Sequence, residues 1–292
     1  MLFTGATSAG VHWLAVPELP ETETIARDLH AMIAGAYISD ATVQRADVLR
    51  SVTAEEFVQR LRGEMIVQAW RRAKLIILDL ENADAIVVQP RFTGALLVEA
   101  TPADISERDR GYITLSVDLA DGRRLHYRDI RRLGTVALLR RAELRAYLSD
   151  LGPEPLDPEL TAERFSASLR TSRQAIKKVL MDQQVVAGVG NIYANEACWM
   201  AGIDPSRPAA SLDDQEAATL LESIRGVLTA SIAVRGTSFR DYVDASGGRG
   251  GFVPYLQVYG RGGLPCPRCG TTLVDSAAID GRTTVFCWRC QR

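Results

Sequence analysis

The chain has 292 residues, of which 47% are hydrophobic and 24% are charged. These are the fractions of an ordinary globular protein, and the length allows two domains with cores of their own. No apolar stretch reaches the roughly 18 residues of a membrane span, so we expect a cytoplasmic protein. The formal net charge of -2 argues against a uniformly basic nucleic-acid binder.

The positive charge is nevertheless concentrated in two segments. Residues 235–292 contain eight arginines, four aspartates, and no lysine or glutamate, a net 8 - 4 = +4. A second group is Arg123, Arg124, Arg128, Arg131 and Arg132. Two Arg-rich segments on a mildly acidic protein suggest a localised phosphate-binding face, although solvated surface charge would be the preferred explanation if the segments stood alone as evidence.

Residues 1–16 are predicted to be a start-site artefact, or else a flexible extension. They contain no lysine or arginine to open a signal peptide. Val16 fits a misassigned start, because a GTG codon means valine internally but methionine as a bacterial start, and methionine is readily removed before proline. From Glu18 to Ile33 apolar residues recur at helical spacing, with Pro20 in the first turn.

Runs rich in β-formers follow and predict an antiparallel β-sandwich, which with the first helix forms a domain over 17–150. Asp121-Gly122 is the dipeptide of a hairpin turn. The predicted strands are Met65–Trp70, Lys74–Leu80, Ala85–Val88, Ala95–Glu99, Tyr112–Val117 and Arg124–Tyr127.

Three prolines in residues 151–161 predict a linker. A helical domain over 162–245 should follow. Its predicted helices are Phe165–Leu169, Gln174–Met181, Ile192–Met200 and Asp213–Val234. A glycine-rich patch, 246–252, then opens a connector that extends to residue 261.

Residues 262–292 carry two C-x-x-C pairs separated by 17 residues, the spacing of two knuckles around one tetrahedral zinc ion. The predicted ligands are Cys266, Cys269, Cys287 and Cys290. Disulfides are the alternative, which a reducing compartment disfavours. Four thiolates leave no position for water, so the zinc would be structural, on a β-ribbon. Cys198, among apolar neighbours, is predicted to be a buried core thiol.

Six motifs in order give the sequence a resemblance to the formamidopyrimidine-DNA glycosylases. They are Pro17-Glu-Leu-Pro-Glu21, Arg71-Arg-Ala-Lys74, Arg131-Arg-Leu-Gly134, the run from Leu180 to Glu196, Gln257-Val-Tyr-Gly-Arg261, and the cysteine ribbon ending at Gln291. The resemblance implies an α+β multidomain fold: an N-terminal antiparallel β-sandwich with flanking helices, a helix-two-turn-helix domain and a C-terminal zinc β-ribbon. It implies a monomer that acts on double-stranded DNA with oxidised bases or abasic sites, uses no organic cofactor and binds the nucleoid through that DNA.

The resemblance also implies catalytic roles. Pro17, if N-terminal, would be the nucleophile, because its free secondary amine could attack the sugar C1′. Glu18 resembles the general acid, and Glu21 a second carboxylate that orders the same helix start. Lys74 resembles the catalytic lysine, and Arg282 the ribbon arginine linked to δ-elimination. Helix-start acids and a surface lysine are the alternatives for Glu18, Glu21 and Lys74.

The resemblance also implies which residues bind DNA. The Gly188-Val-Gly190 turn and the helix that starts at Asn191 should offer amide donors to a phosphate. Arg110, Arg173 and Lys177 stand at positions of basic or histidine DNA contacts, with exposed helix charge as the alternative for the last two. Phe92, Arg131 and Leu133 match a base-flipping trio in which the family more usually has Met, Arg and Phe.

Residues 246–252, including Arg249, resemble the loop that closes over an everted oxidised purine. That loop favours a purine-acting enzyme, although a plain glycine-rich linker is an alternative. Two other functions stay open: an endonuclease VIII-like glycosylase for oxidised pyrimidines, and a catalytically inactive relative that binds damaged DNA.

Overall fold

The computed structural model describes residues 16–292. The predicted N-terminal extension, apart from Val16, lies outside them. Helix α1 (Leu19–Ile33) starts where the sequence predicts, with Pro20 in its first turn. Its first residue, Leu19, is buried in the core of the helical domain, whereas Ile25, Leu29 and Ile33 are buried in the core between the sheets. The start of α1 therefore lies where the two domains meet.

Two sheets form the N-terminal domain. One has the strand order β1-β7-β8-β6 and the other β2-β9-β5-β4-β3; every pairing is antiparallel except that of β2 with β9. The strands are β1 (Ile38–Val43), β2 (Leu49–Arg50), β3 (Ile66–Arg72), β4 (Leu75–Leu80), β5 (Asp84–Gln89), β6 (Gly94–Glu99), β7 (Ile113–Leu119), β8 (Arg124–Asp129) and β9 (Thr135–Arg140). Short helices are α2 (Ala54–Leu61), α3 (Glu107–Arg110) and α4 (Arg141–Leu148).

The predicted sandwich and the hairpin turn at Asp121-Gly122 are confirmed. Strands β1, β2 and β9 were not predicted. In β1 only Ile38 and Ala41 are buried, because the strand lies at one edge of its sheet. Its composition is therefore largely polar and did not indicate a strand. Gly122 has a φ of +91°, which a glycine adopts without strain.

The second domain is helical, as predicted. Its helices are α5 (Ala162–Leu169), α6 (Ile176–Leu180), α7 (Asn191–Ala201) and α8 (Asp214–Ala233). The Thr161 hydroxyl accepts a hydrogen bond from the Arg164 amide, and the Asp213 carboxylate accepts one from Glu216, so side chains cap α5 and α8. Helix α6 is shorter than the predicted Gln174–Met181.

The last segment is a small ribbon. Strands β10 (Val274–Ser276) and β11 (Thr284–Phe286) pair in antiparallel fashion, as expected for the zinc hairpin. Its apolar core, centred on Val258, Leu273 and Val285, includes Trp199 from α7. Among residues 16–292, no helix is both long enough and apolar enough to cross a membrane.

Candidate active site

Glu18 stands just before α1, and two backbone contacts fix it against the helical domain. The Leu19 amide donates to the Gly188 carbonyl at 3.0 Å, and the Ile192 amide donates to Glu18 Oε1 at 3.0 Å. The amides at the start of α7 were predicted to donate to a DNA phosphate, but the Ile192 amide donates to Glu18 instead. The other carboxylate oxygen, Oε2, is buried and accepts no hydrogen bond within the described part of the chain.

Two glycines make this approach possible. A Cβ at Gly188 would lie 2.7 Å from the Leu19 side chain, and the φ of this residue is +84°. A Cβ at Gly190 would lie 2.3 Å from the Glu18 carboxyl carbon and 2.5 Å from Lys74 Nζ. Both distances are shorter than any ordinary contact, so only glycine leaves room for the carboxylate and the ammonium.

Lys74 lies in the tight turn between β3 and β4, next to Ala73, whose φ is +52°. Glu154 of the predicted linker holds this turn. Its carboxylate accepts hydrogen bonds from Arg71, Arg72 and the Ala73 amide, each at 2.7 Å. No role was predicted for Glu154, because its contacts with this turn span about eighty positions of the chain.

A cavity of about 540 Å³ opens between the two domains at this point. Its lining includes Val16, Glu18, Lys74, Phe92, Asn191 and Arg282. Pro17 itself is buried, between two residues that line the cavity. Five of the residues predicted for catalysis or DNA contact thus meet at one cavity, each from a different segment of the chain: Glu18, Lys74, Phe92, Asn191 and Arg282.

The charges of the cavity are coupled. Burial raises the pKa of the Glu18 carboxyl, while Lys74 opposes this shift. Burial lowers the pKa of the Lys74 ammonium, Glu18 opposes that shift, and the positive charge of Arg282 adds to it. An acid that holds its proton more tightly beside an amine that loses its proton more readily is suited to proton transfer.

Glu21 lies in the first turn of α1 and is buried. Its carboxylate accepts hydrogen bonds from the Glu18 amide at 2.9 Å, the Thr237 amide at 2.7 Å and the Tyr193 hydroxyl at 2.5 Å. Burial, followed by the Glu18 charge, raises the pKa of Glu21 to about 7. Tyr193 and Thr237 were missed by the sequence analysis, although Tyr193 belongs to one of the recognised motifs.

Phe92 and Arg131 come together on neighbouring loops. The Arg131 guanidinium lies over the Phe92 ring, 5.1 Å from its centre, and Leu133 is 42% exposed. The buried Asp129 carboxylate accepts hydrogen bonds from Thr93 at 2.5 Å and from the Gly134 amide at 2.8 Å, which fixes both loops. The three residues predicted to fill the space of a flipped base are therefore carried on linked loops.

The other predicted DNA contacts differ in their surroundings. Arg173 is exposed, and Arg110 forms an ion pair with Glu99. Arg249 donates to the backbone carbonyls of Ser238 and Phe239 at 3.3 and 3.1 Å.

Lys177 does not lie where an exposed DNA contact would. It is fully buried, and its ammonium donates to Thr283 O and Thr284 Oγ1 of the ribbon. Helix α6 packs this lysine towards the ribbon, and the following residue, Lys178, is the exposed one.

The glycine-rich loop has a defined conformation. Asp244 accepts hydrogen bonds from the Ser246 amide at 3.0 Å and the Gly248 amide at 2.7 Å, and it pairs with Arg235. The Gly250 amide donates to Ser238 Oγ at 2.8 Å. These contacts hold the loop close to Thr237, which is bonded to Glu21.

The four ribbon cysteines form a metal site. Their Sγ atoms lie within 4.8 Å of one another, with Cys266 4.0 Å from Cys290 and Cys269 3.5 Å from Cys287. Zinc–thiolate bonds of about 2.3 Å place tetrahedral sulfurs at such separations. The donor set fits one structural zinc ion. Cys198 is fully buried, as predicted.

Three family models match the chain. The N-terminal domain of formamidopyrimidine-DNA glycosylase matches residues 16–136, and its H2TH domain matches residues 151–243. The zinc finger found in FPG and IleRS matches residues 263–292.

Relatives and solved structures agree with these matches. The formamidopyrimidine-DNA glycosylase of Moorella thermoacetica is 44% identical over 88% of this chain and 93% of its own length. That of Carboxydothermus hydrogenoformans is 39% identical over 95% of this chain and 100% of its own.

The crystal structure of the Thermus thermophilus MutM (Fpg) protein is similar with a TM-score of 0.82 and 34% identity, covering 94% of this chain and 98% of that one. Lactococcus lactis Fpg in complex with DNA containing an abasic site has a TM-score of 0.86 and 30% identity, over 94% and 99% of the two chains. The chain belongs to the formamidopyrimidine-DNA glycosylase family.

Proposed function

We propose that this protein is a bifunctional DNA glycosylase and abasic-site lyase that removes oxidised purines, such as 8-oxoguanine and formamidopyrimidines, from duplex DNA. Family membership supports the reaction class. The observation that carries the assignment is the meeting of Glu18, Lys74 and Arg282 at one cavity beside Pro17. Base excision repair of bacterial chromosomal DNA follows as its biological setting, with the protein acting as a monomer.

In the first step the Pro17 nitrogen bonds to C1′ of the damaged nucleotide and the bond from C1′ to the base breaks. This step requires a chain that begins at Pro17, because a peptide nitrogen has no free lone pair. The base leaves with the bonding electrons and takes up the proton that the Pro17 nitrogen loses after it bonds to C1′. Glu18 then gives a proton to the ring oxygen O4′ as the sugar opens to an iminium ion. Oε2 is the proton-carrying atom that fits, since Oε1 already accepts the Ile192 amide.

Strand cleavage follows from the iminium ion, which acidifies the proton on C2′. Loss of that proton expels the 3′ phosphate, and a second elimination expels the 5′ phosphate; water finally releases the sugar fragment and the amine. Lys74 supplies positive charge beside Glu18 in the first of these reaction steps. Arg282 supplies positive charge at the departing phosphate.

The remaining predicted residues hold DNA and replace the everted base. Phe92 and Leu133 are apolar side chains able to enter the base stack, and Arg131 offers donors to the base left behind. Arg110, Arg173, Asn191 and Arg249 form the surrounding polar contacts in this proposal. The ribbon cysteines hold zinc, whose chemistry here is to crosslink the two knuckles.

Borohydride trapping tests the mechanism. The chain beginning at Pro17 should form a covalent adduct with a duplex containing 8-oxoguanine, whereas the chain beginning at Met1 should not. The matched control is the Pro17-start protein with an acetylated amine. Equal trapping by all three proteins would assign the nucleophile to another side chain, and the intact mass of natively expressed protein would show which form exists.

Substrate comparison separates the alternatives. Duplexes that differ only in one lesion, 8-oxoguanine or an oxidised pyrimidine, should show faster release of the purine. The presence of the glycine-rich loop at residues 246–252, which resembles the loop that closes over an everted oxidised purine, supports this preference. Faster pyrimidine release would favour the endonuclease VIII-like function, and binding without release of either base would favour the inactive relative.

A further inference from the structure

Lys177 is a buried cation that the proposed reaction does not use. None of its surface is exposed, although an ammonium is costly to remove from water. Its Nζ donates to the Thr283 carbonyl at 3.1 Å and to Thr284 Oγ1 at 2.9 Å. Both acceptors belong to the ribbon and lie directly after Arg282 in the chain.

A second contact links the same helix to the same arginine. Met181, the residue that ends α6, has its sulfur 3.9 Å from Arg282 Nη1. Within the described residues Arg282 makes no ion pair with a carboxylate, and its side chain is exposed. Helix α6 thus touches the Arg282 side chain through Met181 and the backbone that follows it through Lys177.

The charges around Lys177 fit a fixed structural cation. Asp280, the Cys198 thiol and Glu18 favour its charged form, and Arg282 opposes it. Burial outweighs these effects and lowers the pKa of Lys177 to about 8. The ammonium therefore lies in the protein interior, where neighbouring groups offset only part of the cost of burying its charge. No DNA phosphate can reach it in this conformation.

The ribbon has an independent anchor that would survive loss of Lys177. Asn195 Oδ1 accepts a hydrogen bond from the Val285 amide at 2.7 Å. Strand β11 would then stay attached to α7 through Val285, and Asn195 Nδ2 would keep its longer contact of 3.4 Å with the Thr283 carbonyl, while Thr283 and Thr284 lost their shorter contacts with α6. Removal of Lys177 should accordingly act on residues 282–284 and leave the fold intact.

We propose that Lys177 is a positioning residue, which fixes the backbone after Arg282 so that its guanidinium faces the cavity of Glu18 and Lys74. The inference rests on the proposed function for the role of Arg282 in elimination. Misplacement of a reacting or charge-stabilising group by about 1 Å can cost about 100-fold in rate, so a fixed backbone matters there.

Kinetics on a duplex with a preformed abasic site test the proposal. Lys177→Met should lower the rate of the second elimination about tenfold or more, as Arg282→Ala should, and the double variant should lose no more than the slower single variant. Lys178→Met, a change of the exposed neighbouring lysine, is the matched control and should keep the normal rate. Additive losses in the double variant would overturn the proposal.

The salt dependence of DNA binding distinguishes positioning from direct contact. A lost phosphate contact reduces the slope of log K against log salt by about 1. Lys177→Met should leave the slope unchanged, and a reduction by about 1 would contradict the proposal.

Hydrogen exchange in DNA-free protein gives a readout independent of catalysis. Amides 282–284 should exchange faster in Lys177→Met than in Lys178→Met, with unchanged zinc content in both. If Arg282→Ala proves fully active, the proposed role of Arg282 fails while the exchange result still judges the anchoring by Lys177. Unchanged exchange at amides 282–284 would overturn the proposal that Lys177 anchors this segment.

Discussion

The amide of Ile192 donates to Glu18 Oε1 across 174 positions of sequence, at 3.0 Å. This bond joins the first turn of α7 in the helical domain to the residue before α1. It leaves Oε2 buried and without a hydrogen bond in the described part of the chain, at a residue that lines the cavity. The start of α7 therefore sets the orientation of Glu18, although the sequence analysis assigned this segment to DNA binding and not to catalysis.

Glu18→Gln should reduce excision of 8-oxoguanine by at least about 100-fold, because the amide keeps the bond from Ile192 but cannot donate a proton as an acid does. Single-turnover release of the base measures this. Glu55→Gln, on the exposed first turn of α2, is the control and should retain the full rate. A Glu18→Gln protein as fast as the control would remove Glu18 from the reaction.

Gly190→Ala should also reduce excision, by about 100-fold, because the added methyl group would overlap the Glu18 carboxyl and Lys74 Nζ. Gly226→Ala is the matched control. A Cβ there meets its nearest atom, in Met200, at 3.6 Å, and alanine at this exposed position favours the helix by about 1 kcal/mol. The control should be active and slightly more stable to heat; normal excision by Gly190→Ala would refute the close packing.

Loss of zinc should unfold the ribbon and abolish detectable DNA binding, while the two larger domains stay folded. The ribbon core is small, whereas the other domains have separate cores. Chelation followed by metal analysis, circular dichroism and DNA titration tests this. Unchanged affinity after verified removal would contradict it.

Lys177 should make stability depend on pH in a defined direction. Its pKa is about 8 in the folded protein and about 10.5 in the unfolded chain, so the unfolded chain binds more protons between these values. The free energy of unfolding should therefore rise with pH across this window, by up to about 3 kcal/mol relative to Lys177→Met.

Urea denaturation at pH 8 and pH 10 compares the wild type with each variant. The difference between the wild type and Lys178→Met should stay constant, because that lysine is exposed. If the difference in the free energy of unfolding between the wild type and Lys177→Met also stayed constant between pH 8 and pH 10, Lys177 would not be held as a buried amine.

Cys198 should resist alkylation in the native protein. It is fully buried, and burial raises the pKa of its thiol to about 12, so little thiolate exists at pH 8. Peptide masses after iodoacetamide treatment should show modification of the ribbon cysteines once zinc is removed, and of Cys198 only in denaturant. Early labelling of Cys198 would show that α7 opens readily.

Much of the fold was predictable because the signals are local. Helical spacing marked α1, α7 and α8, three prolines marked the linker, and Asp121-Gly122 marked a hairpin. Strand β1 escaped prediction because an edge strand buries few side chains. The pairing of Glu154 with the turn that carries Lys74 escaped because nothing in the linker indicates its partner.

Residue types at short, fixed spacing were enough to identify the family motifs, the zinc ligand set and the candidate catalytic residues. The folded chain was needed to show that Lys177 faces the ribbon, that Tyr193 and Thr237 enclose Glu21, and that α7 orients Glu18. Burial and hydrogen bonding at the cavity arise from contacts between segments far apart in the chain, and local patterns do not encode such contacts.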